Sequence, residues 1–115
     1  MPSQGQQPTQ DPYFSLDMRR CPDGDAVEVL LTGALDERTV EHLADGLTWV
    51  VAHMPQRDVV VDLAGICRFE PCGVGPLLRV RGDLRACGRT LAVRAEPAGA
   101  RPLLATAGLL DAPAG

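Results

Sequence analysis

The stretch from Val40 to Leu63 limits the possible folds more than any other part of the chain. Val40, Leu43, Ala44, Leu47, Val50, Val51 and Met54 recur at helical spacing and predict a helix with one apolar side. Asp36 is placed to cap its start, Glu37 adds negative charge at the positive end of the helix dipole, and Pro55 stops it. Soon afterwards Val59-Val60-Val61-Asp62-Leu63 forms an apolar run ending in an acid and a leucine, which predicts a central strand covered on both faces.

The flanking segments extend this alternation. Phe14, Leu16 and Met18 alternate with polar neighbours, Cys21-Pro22-Asp23-Gly24-Asp25 has turn chemistry, and Val27, Val29 and Leu31 resume with period two. Together they predict a hairpin. A second helix is expected from about Pro71 to Gly88, a strand at Thr90–Arg94, and a short helix at about Ala100–Ala107 that stops at Gly108. Strands alternating with helices imply a sheet with parallel pairs and helical cover, hence an α/β fold. Residues 1–12, rich in Gln, Pro, Ser and Gly, are expected as a disordered tail, 13–111 as one domain and 112–115 as a C-terminal tail.

Composition narrows the class of function. The 115 residues carry a formal net charge of -4, and all eleven basic residues are arginine. An acidic chain lacks the basic face that binding to nucleic acid requires. No apolar run approaches the roughly 18 residues that cross a bilayer, and the polar start MPSQGQQPTQDP has no signal-peptide pattern. The expectation is a cytoplasmic protein without direct membrane insertion. Cys21, Cys67, Cys72 and Cys87 form no C-x-x-C pair, and His42 and His53 do not complete a zinc motif, so no metal or other cofactor is expected. The thiols read as reduced, some of them buried as small hydrophobes. The phosphate-loop, G-x-S-x-G and dinucleotide patterns are absent, which argues against an enzyme.

Four short segments resemble one family in the right order. Leu31-Thr32-Gly33-Ala34-Leu35-Asp36-Glu37-Arg38-Thr39 is similar to the "L-x-G-x-L-D-x-x-T" opening of STAS domains, and Val59-Val60-Val61-Asp62-Leu63-Ala64-Gly65-Ile66 to their central strand and "D-L-S-G-V" exit. Gly88-Arg89-Thr90-Leu91 resembles the "G-x-x-L" strand entry, and Ala107-Gly108-Leu109 the "x-G-L" helix end. The resemblance implies a curved mixed sheet packed against helices, here shortened at the C-terminus. It also implies the role of an anti-sigma factor antagonist, which binds an anti-sigma factor, often an ATP-binding serine kinase, and so frees a sigma factor. In that family the kinase phosphorylates a hydroxyl at the start of the second helix, adding about -1.5 to -2 charge within the docking surface.

The switch region departs from the family's "F-x-D-S-S-G-L". Here the residues are Phe69-Glu70-Pro71-Cys72-Gly73-Val74, with Pro71 at the phosphorylated position and Cys72 at the second hydroxyl. Proline has no hydroxyl, so the usual phosphoswitch is expected to be lost there. Pro71 suits the first helical position, either rigidifying a binding-competent loop or merely starting a helix. The resemblance places the partner-binding face on Asp36, Glu70, Pro71, Cys72, Gly73 and Val74, with the exposed side of the second helix.

Two other roles compete with that of antagonist. One is an accessory STAS subunit of an ABC-type lipid transport system. The other is a redox-responsive binding module in which the helix start lowers the pKa of Cys72, with Cys67 nearby on a connecting loop. Arg81, Arg85 and Arg89, spaced by four, are expected as a basic ridge on the second helix.

Overall fold

The computed structural model describes residues 10–11, 13–20, 24, 26–54, 57–94, 97 and 99–109. The chain runs β1 (Gln10–Asp11), β2 (Phe14–Arg20), β3 (Val27–Leu35), α1 (Val40–His53), β4 (Val59–Phe69), a 3-10 turn (Pro71–Gly73), α2 (Val74–Ala86), β5 (Leu91–Arg94) and α3 (Arg101–Thr106). The strands form one mixed sheet in sequence order, antiparallel from β1 to β3 and parallel from β3 to β5. This is the α/β architecture expected from the alternation of strands and helices. β1 lies within the span expected as a tail and pairs with β2 through Gln10 and Ser15. The remaining tail residues, Cys21 and most of the expected hairpin turn lie outside the described residues.

One face of the sheet carries the core. Phe14 and Leu16 of β2, Val27, Val29 and Leu31 of β3, and Val59, Val61 and Leu63 of β4 point into it. Leu43, Leu47 and Val50 of α1, Leu77, Val80 and Leu84 of α2, and Leu104 of α3 close it from above. Each fully buried leucine or valine contributes roughly 1.5–3 kcal/mol through removal from water. With few aromatic residues available, this core is mainly aliphatic.

The opposite face corrects the expectation that β4 is covered on both sides. Val60 and Asp62 are only half-buried, and Ala64 is exposed. Across this face runs a charged clasp in place of a second apolar layer. Glu28 is 3% exposed, accepts from Arg19 Nε at 2.7 Å, and pairs with Arg94, whose Nε lies 3.3 Å from Asp62. The clasp thereby ties β2, β3, β4 and β5 together and pairs a carboxylate that burial shields from water.

Candidate docking site

The site forms where two parallel strands end side by side. Leu35 pairs with Phe69, and the Glu70 N–H donates to the Leu35 carbonyl at 2.9 Å. The loop after β3 and the turn after β4 are therefore neighbours, although about thirty residues of chain separate them.

Asp36 organises the first loop. Its Oδ1 accepts the N–H of Arg38 at 2.9 Å and of Thr39 at 3.3 Å, and its carbonyl accepts Val40 N–H at 2.9 Å. The helix proper starts at Val40 with Thr39 as its cap residue, so Asp36 fixes the turn before α1 instead of capping it directly. Thr39 locks the same turn, with its hydroxyl donating to the Ala34 carbonyl at 2.7 Å and accepting Asp36 N–H at 3.0 Å. Burial raises the pKa of the Asp36 carboxyl. The Arg38 N–H, the Arg68 guanidinium, the charge of Arg38 and the Thr39 N–H outweigh burial and hold it below its ordinary value.

Arg68 joins the two segments. Its Nη2 lies 3.2 Å from Asp36 Oδ2, and its Nε lies 3.5 Å from Glu70 Oε2. Arg68 is not among the residues expected at the site, because the sequence reads as a connecting loop around Cys67. β4 in fact continues to Phe69, which places Arg68 opposite Ala34 and Cys67 within the strand.

Glu70 leads in extended conformation into the 3-10 turn, where Pro71 occupies the first position and is exposed. That position suits proline, whose missing N–H needs no partner there. The Gly73 N–H closes the turn onto the Glu70 carbonyl at 2.9 Å. Gly73 is buried, and a β-carbon there would lie 2.6 Å from Leu35 Cδ2 and 3.2 Å from Phe69 Cζ. A side chain there would have to displace the ends of Leu35 and Phe69, so glycine suits the close approach of the turn to the strand ends. Val74 is half-buried at the start of α2. All six residues singled out in the sequence fall on these two adjoining segments.

Cys72 behaves opposite to the expectation of an activated thiol. It is half-buried, and burial, followed by the negative charges of Glu70, Glu37 and Asp36, pushes its pKa up, overriding any helix-end effect. Cys67 and Cys87 are free and exposed, and the Cys67 thiol donates to the Gly33 carbonyl at 3.4 Å. The expected basic ridge also dissolves. Arg81 donates to the Gly108 carbonyl at 2.5 Å, and Arg89, beyond the end of α2, is 8% exposed and donates to the carbonyls of Arg57 and Met54, both at 2.7 Å. Among the described residues no cluster of His, Cys, Asp and Glu is arranged to hold a metal ion. No described helix is long and apolar enough to cross a membrane.

Solved structures share this fold. An anti-sigma factor antagonist from Mycobacterium paratuberculosis is similar with a TM-score of 0.66 and 25% identity, covering 88% of this chain and 84% of that one. The anti-sigma factor antagonist SpoIIAA in its unphosphorylated form gives 0.68 at 18% identity, covering 83% of this chain and 82% of that one. The STAS domain of an antisigma-factor antagonist from Rhodobacter sphaeroides gives 0.59 at 16% identity, with 75% and 90% covered. A search of curated protein sequences finds no match. The family model described as "Mlab, STAS domain" matches residues 19–111, the whole span from the end of β2 through α3. With its mixed sheet, its helices on one face and the paired loops at the strand ends, the chain belongs to the STAS-domain family.

Proposed function

We propose that the chain is a protein-binding regulator of the anti-sigma factor antagonist type, acting in the bacterial cytoplasm on transcription and performing no catalysis. Its partner is an anti-sigma factor, of the ATP-binding serine kinase kind, and binding frees a sigma factor. The observation that carries this reading is the Arg68 bridge, which joins the Asp36 loop to Glu70 beside the exposed start of the second helical segment. A rigid, polar edge of this kind suits docking, since its shape and charge are set before the partner arrives. The three antagonist structures support the same assignment.

In this reading the docking face comprises Asp36, Glu70, Pro71, Cys72, Gly73 and Val74, and phosphoswitching at Pro71 is lost. Thr39 does not replace the missing acceptor, because it is buried and its hydroxyl is engaged with Ala34 and Asp36. The raised pKa of Cys72 argues against redox control as the substitute.

The test is capture of partners from the source organism with ATP or ADP added, followed by reconstitution with the purified partner. An ATP-binding anti-sigma factor is expected, the intact mass of the chain stays unchanged with kinase and ATP, and Pro71→Ser restores phosphorylation. An ABC-type ATPase in place of the anti-sigma factor would replace this reading by that of an accessory subunit of a lipid transport system.

A further inference from the structure

β5 is the last strand of the sheet, and among the described residues no strand pairs with its outer edge. The ladder to β4 fixes which backbone groups that edge presents. Val59 stands beside Leu91 and donates its N–H to the Thr90 carbonyl at 2.9 Å, so the bonding groups of Thr90 and Ala92 face β4. The N–H and C=O of Leu91 and Val93 therefore point outward. Native edges of this kind are commonly blunted by proline or by a free charge. β5 reads Leu91-Ala92-Val93-Arg94 and has no proline. Its one charge is held over the sheet, since Arg94 pairs with Glu28 and its Nε lies 3.3 Å from Asp62 Oδ2. The edge is also apolar: Leu91 is buried, and Val93 is half-buried against the core.

The order of residues along this edge is complementary to itself. In an antiparallel pair with a two-fold axis at Ala92, Leu91 of each copy stands opposite Val93 of the other. These are the residues whose N–H and C=O face outward, so each such pair exchanges both of its hydrogen bonds. The same pairs lie on the core side and set leucine against valine, which extends the aliphatic layer across the junction. Ala92 meets its own copy at the axis, in a non-hydrogen-bonded position where Cα atoms approach to about 4.5 Å, and a small side chain suits that approach. Arg94 stands opposite Thr90, so the axis brings no like charges together.

We infer that β5 is a self-association edge, through which two copies of this chain join their sheets about a two-fold axis at Ala92. The inference does not depend on the antagonist reading. β5 lies beside Val59–Asp62, whereas the proposed docking face follows Phe69 at the far end of β4, so the pair leaves both docking faces open. A strand of 4 residues offers a small contact, so the association is reversible and depends on concentration.

The test is sedimentation of the full chain from micromolar to millimolar concentration, paired with amide hydrogen exchange. A reversible monomer–dimer equilibrium is expected, with the Leu91 and Val93 amides gaining protection as the dimer forms. In a mixture of 13C-labelled and unlabelled chain, NMR should show an intermolecular contact between the two Ala92 α-protons, which face each other across the axis. Val93→Pro removes an outward N–H without touching the ladder to β4 and should weaken dimerisation about ten-fold or more. Ala92→Glu, which sets two carboxylates at the axis, should do the same. The α-proton contact is read on the wild-type chain and decides the question if either variant fails to fold. A chain that stays monomeric at millimolar concentration, a dimer without that contact, or a dimer untouched by both variants overturns the inference. Equal protection of the Leu91 and Val93 amides at every concentration overturns it as well. Protection of those amides only when a second protein is added overturns it in favour of a strand supplied by that protein.

Discussion

Replacing Gly33 by alanine places a methyl group where backbone atoms already stand. Gly33 has φ 102°, and its β-carbon would lie 2.1 Å from the Tyr13 carbonyl oxygen, 2.8 Å from the carbonyl carbon and 2.9 Å from Phe14 Cα. No rotamer change relieves such a clash, because every obstructing atom is main chain. Two costs follow. Holding a residue with a β-carbon in this region of φ costs about 1–3 kcal/mol. Parting β2 from β3 to make room also weakens the Ala34-to-Tyr13 hydrogen bond, worth about 0.5–1.5 kcal/mol net. The sum is roughly 1.5–4.5 kcal/mol, against a total stability of about 5–15 kcal/mol for a domain of this size. At about 4 °C per kcal/mol, Tm falls by about 6–18 °C. Thermal and urea unfolding followed by circular dichroism measure this directly. Gly82→Ala is the internal control: nothing lies within 4 Å of its β-carbon position, it sits inside α2, and the same exchange there stabilises by about 0.5–1 kcal/mol. Gly33→Ala unfolding within about 0.5 kcal/mol of wild type would refute the reasoning, since surface exchanges without structural consequence stay within that range.

Arg89→Ala removes two charged hydrogen bonds to the carbonyls of Arg57 and Met54 and should lower stability in urea by about 2–4 kcal/mol. Asp36 gives a pH dependence of defined sign. Its folded pKa lies below the ordinary 3.8, so its contribution is complete above that value and is lost as pH falls through the depressed one. Asp36→Asn should therefore flatten the fall in unfolding free energy below pH 4, as read by urea titrations at successive pH values. Alkylation with iodoacetamide at neutral pH, followed by mass spectrometry, should label exposed Cys67 and Cys87 well before Cys72, whose thiolate is disfavoured by burial and nearby carboxylates.

Helix positions and the alternation of strands with helices were legible because apolar spacing reports directly on a buried face. The upper half of β4 was not. Beyond Leu63 the buried residues are Ile66 and Phe69, at intervals of three, and register shifts between Leu30 and Thr32 and between Gly33 and Ala34 accompany the change. A strand read by alternation therefore ends too early, and Arg68 is lost with it. At Gly65 a β-carbon would lie 2.6 Å from Thr32 Cγ2 and 2.9 Å from the Leu31 carbonyl, which explains the glycine at this irregularity. The Arg81, Arg85, Arg89 spacing misled for a related reason. α2 ends at Ala86, Gly88 turns the chain with φ 77°, and Arg89 swings beneath the end of α1 instead of continuing a helical face. That the six residues of the proposed docking face lie on two adjoining segments follows from local motifs, whereas Arg68 and the Tyr13–Arg38 contact depend on pairings between distant parts of the chain.

The sheet places Tyr13, the Asp36 loop and the Pro71 turn at one end of the strands, while Arg89 secures the turns at the other. The proposed docking face and the anchorage by Arg89 are consequently separated along the length of the molecule. Exposed side chains such as Arg38, Pro71 and Tyr13 are free to diverge between duplicated copies of such a domain without disturbing the aliphatic core beneath them. Gly33, Gly73 and the Asp36–Thr39 lock lack that freedom, because they shape the backbone on which those side chains stand. New partner choice in this scaffold is thus written in a small set of surface letters, on a frame whose spelling stays fixed.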